Sequence, residues 1–279
     1  MKNGSKWKVS LLLVLLVSLS LFMVGCGNSE KSVDGSESSS SNKAGDVIDT
    51  EEKFQEVYSD PNKFKGDSIE FNAQIFLEPE TDGDGTYFQC YAYNNENLNT
   101  IVAFNEKSDL KDEDVVLIKG KVRGKIDAEN AFGGDLSLLG IDADSVEKTD
   151  YATALAPAIK TIELNEEIDQ HGYLMKVEKV EFAEEETRVY VSITNNTKDN
   201  ISFYSFDSKA TQGSKQLKEE DSYGKGYPEI DSEILPGVTE EGIVLFSKSD
   251  VDEPLKIYLE GSSDNYELDF DPFIFEVKE

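Results

Sequence analysis

Ser68-Ile-Glu-Phe-Asn-Ala-Gln-Ile-Phe-Leu-Glu78 decides the fold class. Its apolar residues Ile69, Phe71, Ala73, Ile75 and Leu77 alternate with Ser68, Glu70, Asn72, Gln74 and Glu78. A period of two sets the apolar side chains on one face of a β-strand and the polar ones on the other. Upstream, Asp49-Thr-Glu-Glu52 has the form of a capping box. It predicts a short helix with Phe54, Val57 and Tyr58 on one face, ended by Asp60-Pro61. Downstream, Pro79 to Gly85 predicts a turn, and strands follow at Thr86–Tyr93, Thr100–Phe104 and Val115–Val122. After Gly133-Gly134 a short strand runs through Leu136 and Leu138. Five short strands with glycine at the corners predict a small, partly open barrel over residues 47–150.

The uncharged stretch Tyr151-Ala-Thr-Ala-Leu-Ala-Pro157 marks a composition shift and predicts a linker over 151–157. Beyond it the pattern is strand after strand. Lys160–Leu164, Tyr173–Phe182, Thr187–Thr194, Ile201–Phe206, Gly242–Phe246, Leu255–Glu260, Tyr266–Phe270 and Phe273–Val277 are the predicted strands. In Thr187–Thr194, Val189, Val191 and Ile193 alternate with Arg188, Tyr190 and Ser192. So many short strands over about 120 residues predict an immunoglobulin-like β-sandwich across 158–279.

Two sets of motifs carry resemblances. Tyr58-Ser-Asp-Pro-Asn-Lys-Phe-Lys-Gly66, Asp114-Val-Val-Leu-Ile-Lys-Gly120 and Glu129-Asn-Ala-Phe-Gly-Gly134 resemble the OB-fold-like domain of Gram-positive surface lipoproteins. In the second half, Lys176-Val-Glu-Lys-Val-Glu-Phe182 precedes Val189-Tyr-Val-Ser-Ile-Thr-Asn195, then Tyr227-Pro228. Leu235-Pro-Gly237 and Gly242-Ile-Val-Leu-Phe246 complete the ordered set. Together these look like the telokin-like, immunoglobulin-related domain of unknown function at the C-terminus of many such lipoproteins. The resemblances imply folds and a location, and they transfer no catalytic residue and no ligand.

The N-terminus agrees with that location. Lys2, Lys6 and Lys8 precede an apolar run from Val9 to Val24, too short to span a bilayer comfortably. Leu21-Phe22-Met23-Val24-Gly25-Cys26 then resembles a bacterial lipoprotein box, although Met23 stands where leucine is commonest. Residues 1–25 thus read as a lipoprotein signal peptide and Cys26 as the lipidated residue, joined to the bilayer by its acyl chains. Two or three chains, at about 0.8 kcal/mol per buried methylene, anchor stably where one would not. The Gly/Ser-rich segment 26–46, with Ser38 to Ser41 in its middle, has too little apolar surface to fold and reads as a disordered tether. At about 5–6 Å × √n it sets the folded part roughly 25 Å from the membrane.

Composition excludes several classes. The 279 residues carry 57 acidic and 27 basic side chains, a net charge of −30, which repels a nucleic-acid backbone. Residues 47–150 alone hold 24 acidic against 10 basic residues, a net of −14. Two cysteines and one histidine leave little for thiol–imidazole chemistry or a Cys/His metal site. Cys90, in an aromatic strand with Tyr87, Phe88, Tyr91 and Tyr93, reads as a small buried hydrophobe. His171, before Gly172, reads as a turn residue rather than a general base. Paired carboxylates of glycosidase type are uninformative among so many acids.

Two features stand out as candidate sites. Lys119, Lys121, Arg123 and Lys125 alternate, so a continuous strand puts all four on one face. Such a strip would suit an anionic polymer, and it equally describes a solvated strand pairing with nearby carboxylates. Asp82 and Asp84, in a tight turn, are the first candidates for a weak calcium site, although Thr86 and Tyr87 break the EF-hand spacing. Asp112–Asp114, Glu184–Glu186 and Asp269/Asp271 are further acidic clusters. No cofactor beyond such a calcium ion is expected.

The expected function is therefore that of a membrane-anchored extracytoplasmic lipoprotein acting as a non-enzymatic binding module. Its partner would be an envelope protein or a wall polymer, and not nucleic acid. The alternatives are an accessory subunit of an envelope complex or a carboxylate-dependent envelope hydrolase.

Overall fold

Thr50 opens the first element, a helix α1 spanning Glu51–Ser59 in a computed structural model that describes residues 47–83, 85–129 and 134–278. The signal segment, Cys26, the tether and Asp84 lie outside the described residues. The protein is mainly β, as the alternation of Ser68 to Glu78 predicts. Contacts divide the chain into two units. Residues 47–71, 76–109 and 118–146 belong to the first, and 72–75, 110–117 and 147–278 to the second. This division groups 147–150 with the second unit.

The capping differs from the predicted box. Thr50, not Asp49, is the N-cap, and its side chain accepts from Lys53 N at 3.4 Å. Asp49 instead pairs with Lys53 Nζ at 2.9 Å, and that bond and charge hold its carboxyl below the usual range. The reason is position: the third helical residue after Thr50 is Lys53, which cannot accept from the cap N–H, so no reciprocal box forms. Phe54 and Val57 are buried and Tyr58 is half-buried, the face the spacing predicts. Phe54 packs on Phe71 and Tyr93 with ring centroids 4.8 and 5.6 Å apart.

Six strands follow: β1 Ser68–Ile75, β2 Glu80–Asp82, β3 Gly85–Ala92, β4 Asn99–Phe104, β5 Val115–Glu129 and β6 Asp135–Thr149. The five-strand prediction is corrected at β2, a short exposed strand inside the predicted turn, pairing Glu80 with Tyr87. β5 and β6 are far longer than predicted. Their polar outward halves hide the alternation that a sequence window detects, while the ladder itself continues. The sheet order is β1-β5-β6-β4-β3-β2, and β1 also pairs with β3. The pairings therefore close a ring through β1, β3, β4, β6 and β5. β4 and β6 are parallel, with Thr100 opposite Leu139. Closure leaves those five strands without free edges.

The second unit begins with a single helical turn α2, Tyr151–Ala154, within the predicted linker. Asp150 caps it by accepting from Thr153 N at 2.8 Å. β7 Lys160–Gln170, β8 Tyr173–Phe182, β9 Glu186–Asn195 and β14 Thr239–Ser247 form one antiparallel sheet in the order β14-β9-β8-β7. The remaining strands form two smaller sheets. One is β13 Glu233–Ile234, β10 Ile201–Phe203 and β16 Gly261–Ser263; the other is β12 Lys215–Leu217, β11 Lys209–Gln212, β15 Leu255–Leu259 and β17 Phe273–Val277. Their orders are β13-β10-β16 and β12-β11-β15-β17.

One continuous core joins the three sheets, with Tyr173, Phe182, Val191, Phe203, Phe246, Ile257 and Phe275 among its buried members. At about 1.5–3 kcal/mol for each large apolar side chain removed from water, this layer is the main source of stability. The strand predicted at Tyr266–Phe270 is absent. That segment is turn and irregular chain, and Tyr266 is fully exposed. The strand predicted over Ile201–Phe206 stops at Phe203, where a 3-10 turn at Ser205–Asp207 interrupts the ladder.

Candidate functional site

β5 carries the basic residues. Val116, Ile118 and Val122 point into the core, so the alternation turns Lys119, Lys121, Arg123 and Lys125 to the opposite face. The structure brings the four together as the spacing predicts and surrounds them with carboxylates. Lys119 Nζ lies 3.2 Å from Glu70 Oε1, Arg123 Nε donates to Asp142 Oδ1 at 2.7 Å, and Lys125 Nζ lies 3.2 Å from Asp127 Oδ1. Lys121 is exposed and has no ion-pair partner among the described residues. Such half-exposed pairs contribute about 0–1 kcal/mol each. They reduce the strip's positive field without removing its hydrogen-bonding capacity.

At the Lys125 end the strip runs into a cleft of about 350 Å³. It is lined by Tyr58 at the end of α1, Asp60 and Asn62 just beyond it, Lys125 of β5, and Ser137, Leu138 and Leu139 of β6. The geometry has a local cause. Gly124 adopts φ +107°, which turns the backbone of β5 so that Lys125 N donates to Asn62 Oδ1 at 3.2 Å. A Cβ on Gly124 would meet that same Oδ1 at 2.8 Å. Burial raises the Tyr58 hydroxyl above its ordinary pKa, so it stays a neutral donor. Ser59 Oγ is already committed to Glu56 O at 2.7 Å, and Ser137 Oγ donates to Asp127 Oδ1 at 3.4 Å. The groups lining the cleft are an ammonium, a carboxylate, hydroxyls and an amide, with the leucines and Pro61 between them. That set suits recognition of a small hydroxyl-bearing group by hydrogen bonds, and the ammonium an anionic one.

The other predicted residues lie elsewhere. Asp82 ends β2, exposed, beside Gly83 at φ +65°. Among the described residues no group of three His, Cys, Asp or Glu side chains is placed to hold a metal ion. His171 occupies the β7–β8 turn at φ 59°, with its ring centroid 6.1 Å from that of Phe270 and the planes inclined by 67°. Cys90 is fully buried on β3, and burial pushes its thiol far up from the ordinary value. Among the described residues no helix is long and apolar enough to cross a membrane.

One cluster escaped the sequence reading. Arg188 alternates with Val189 on β9, on the face opposite it, yet only 1% of its side chain is exposed. Nη1 donates to Glu186 Oε1 at 2.8 Å, to Ala156 O at 2.7 Å and to Tyr227 OH at 3.2 Å, and Nε donates to Glu181 Oε2 at 3.0 Å. Tyr227 donates to Glu186 Oε1, Lys225 to Glu186 Oε2 at 2.6 Å, and Tyr190 to Glu181 Oε2 at 2.9 Å. Burial alone would raise both carboxyls. The bonds from Lys225, Tyr227 and Arg188 outweigh it at Glu186, those from Lys179, Tyr190 and Arg188 at Glu181, and both are held low. Burial, then the Glu181 bond and charge, push the Tyr190 hydroxyl up to about 12. Every charge here has a partner, so the cluster ties the 151–156 and 225–227 segments to the sheet. The only sequence signal was the acidic cluster Glu184–Glu186 two residues before an arginine.

No protein family matches this chain, and no curated protein matches it. Among solved structures, seven chains match. One is a functionally unknown protein from Listeria monocytogenes EGD-e, at 10% identity, covering 39% of this chain and 86% of that one with a TM-score of 0.30.

Proposed function

We propose that the chain is a lipid-anchored extracytoplasmic binding module, without catalytic action of its own, facing the cell envelope. The observation that carries this reading is the order of its parts: a signal ending at Cys26, a Gly/Ser tether, and two β units. The ring of strands closed by the parallel β4–β6 pair supports an OB-like barrel in the first unit. The layered sheets of the second support an immunoglobulin-like sandwich. The cleft beside Lys125 supports binding of an anionic or hydroxyl-rich wall polymer.

The test uses the full-length chain and its Cys26→Ser variant expressed in a Gram-positive host. Incorporation of a palmitate analogue and membrane retention should be lost with Cys26. Unchanged labelling would rule out lipid anchoring. Sedimentation of the protein with purified cell walls tests the polymer, and loss of co-sedimentation on Lys121→Glu plus Lys125→Glu is the expected result.

A second reading is favoured by the net charge of −30. In it the module is an accessory subunit steered to a basic partner protein. Such steering is screened over about 8–10 Å at physiological ionic strength. Crosslinking on intact cells that captures one protein, competed by salt, would establish that reading over the polymer.

A further inference from the structure

The second unit displays an aromatic pair that its own fold does not use. Tyr204 and Phe206 flank the interruption after β10, 41% and 68% exposed, with ring centroids 5.3 Å apart and planes inclined by 34°. The pair is held rigidly. Asp207 N donates to Tyr204 O at 3.0 Å and Ser208 N to Ser205 O at 2.9 Å, so the 3-10 turn fixes the backbone beneath both rings. Ser208, at the end of that turn, is 4% exposed, and its Oγ has no hydrogen-bond partner among the described residues. The turn therefore presents an apolar shelf to water, while the Ser208 hydroxyl is buried and forms no part of that surface. Exposed apolar surface on a well-defined turn marks an interaction site.

We infer that Tyr204 and Phe206 form a stacking platform for a neutral saccharide. Three observations select that class. The charges beside the shelf are Asp207 and the Lys209–Glu260 pair, whose Nζ and Oε1 lie 2.6 Å apart, so the surroundings carry no net positive charge to hold an anionic polymer. Two rings cover far less than the roughly 800 Å² per partner of a stable protein interface, but they match the face of a sugar ring or two. The C–H-rich face of a pyranose packs on an aromatic ring, while its rim hydroxyls find the Asp207 carboxylate and the Lys209–Glu260 pair beside the shelf. The inference extends the envelope-binding reading to the second unit and names its ligand chemistry.

Calorimetric titration of the full-length chain in detergent micelles, with tetrasaccharides of N-acetylglucosamine and of glucose as probes, tests it without the membrane. Binding of at least one probe, weakened about tenfold or more by Tyr204→Ala and by Phe206→Ala and retained by Tyr204→Phe, is expected. Both aromatic rings are exposed, so unchanged thermal melting of the variants will show that the fold is intact. The inference is overturned if neither probe binds, or if either alanine variant binds as tightly as the unsubstituted chain. Failure here would leave lipid anchoring at Cys26 untouched, because it does not enter the measurement, and binding kept by both alanine variants but lost in Lys125→Glu would belong to the cleft of the first unit.

Discussion

Arg188 Nη1 and Glu186 Oε1 meet at 2.8 Å with side chains only 1% and 6% exposed, a buried ion pair on one strand of a β-sheet. Two residues apart on β9, they share a face of the sheet. Removing one partner leaves a charge in a poorly solvated place, which costs more than the pair gains by forming. Arg188→Ala should therefore destabilise the second unit by about 3–5 kcal/mol. Replacing Arg188, Glu181, Glu186 and Lys225 together by apolar residues of similar volume, so that Lys225 is not left without Glu186, should recover most of that loss. Urea unfolding followed by far-ultraviolet circular dichroism measures both.

The same cluster sets a pH dependence. Glu181 and Glu186 have ordinary values of 4.5 and are held lower in the folded protein. A carboxyl whose folded pKa is depressed contributes stability that is fully present above its unfolded pKa and lost as pH falls through the folded one. The urea midpoint should thus be level near neutrality and fall as the pH drops below 4.5. Glu186→Gln should lower the midpoint at pH 7 and flatten the fall. A slope unchanged by that substitution would show the acid sensitivity to come from other groups.

Gly124 is the backbone device behind the cleft. At φ +107°, with Asn62 Oδ1 2.8 Å from where a Cβ would stand, Gly124→Ala combines strain with a clash. A cost of about 1–3 kcal/mol is expected. Gly124→Ala with Asn62→Gly removes the clash but not the strain, so it should recover only part of the loss. Thermal melting of the three proteins separates the two effects.

The strip on β5 should matter for binding and little for folding. Lys121 is exposed and Lys125 holds a half-exposed pair with Asp127, so charge reversal at both should change stability by no more than about 0.5 kcal/mol. The wall co-sedimentation described above is the readout that should change.

Cys90 gives a chemical check on burial. Its thiol is fully enclosed and burial holds it protonated, so in the Cys26→Ser chain it should resist iodoacetamide until the protein unfolds. Rapid labelling of the native protein would contradict its place on β3.

The alternation at Ile69 to Ile75 was enough to place β1, because period-two patterning is local, although the pattern runs on to Leu77 beyond the strand's end. Asp60-Pro61 likewise ends α1 through contacts a few residues long, whereas the N-cap lies at Thr50, one residue past the start of the predicted box. Tyr173–Phe182 and Phe273–Val277 were legible to the residue for the same reason. Lys119 to Lys125 share a face because β5 is continuous through all four.

What the sequence could not settle depends on elements distant along the chain. The parallel pairing of β4 with β6 brings Thr100 to Leu139 across nearly forty intervening residues, and no local pattern specifies it. Arg188 alternates like a solvent-facing residue and is buried only because 151–156 and Tyr227 close over that face of β9. The Lys125 cleft needed the end of α1, Gly124 and β6 at one place. Tyr266 looked like a strand residue by composition, while the sheet had already ended its pairing at Ser263. The sequence by itself determined periodicity, charge and the lipid-box resemblance at Cys26, all short-range properties. Tertiary structure decided which polar faces water still reaches, since a face is exposed or covered only by what packs on it from elsewhere in the chain.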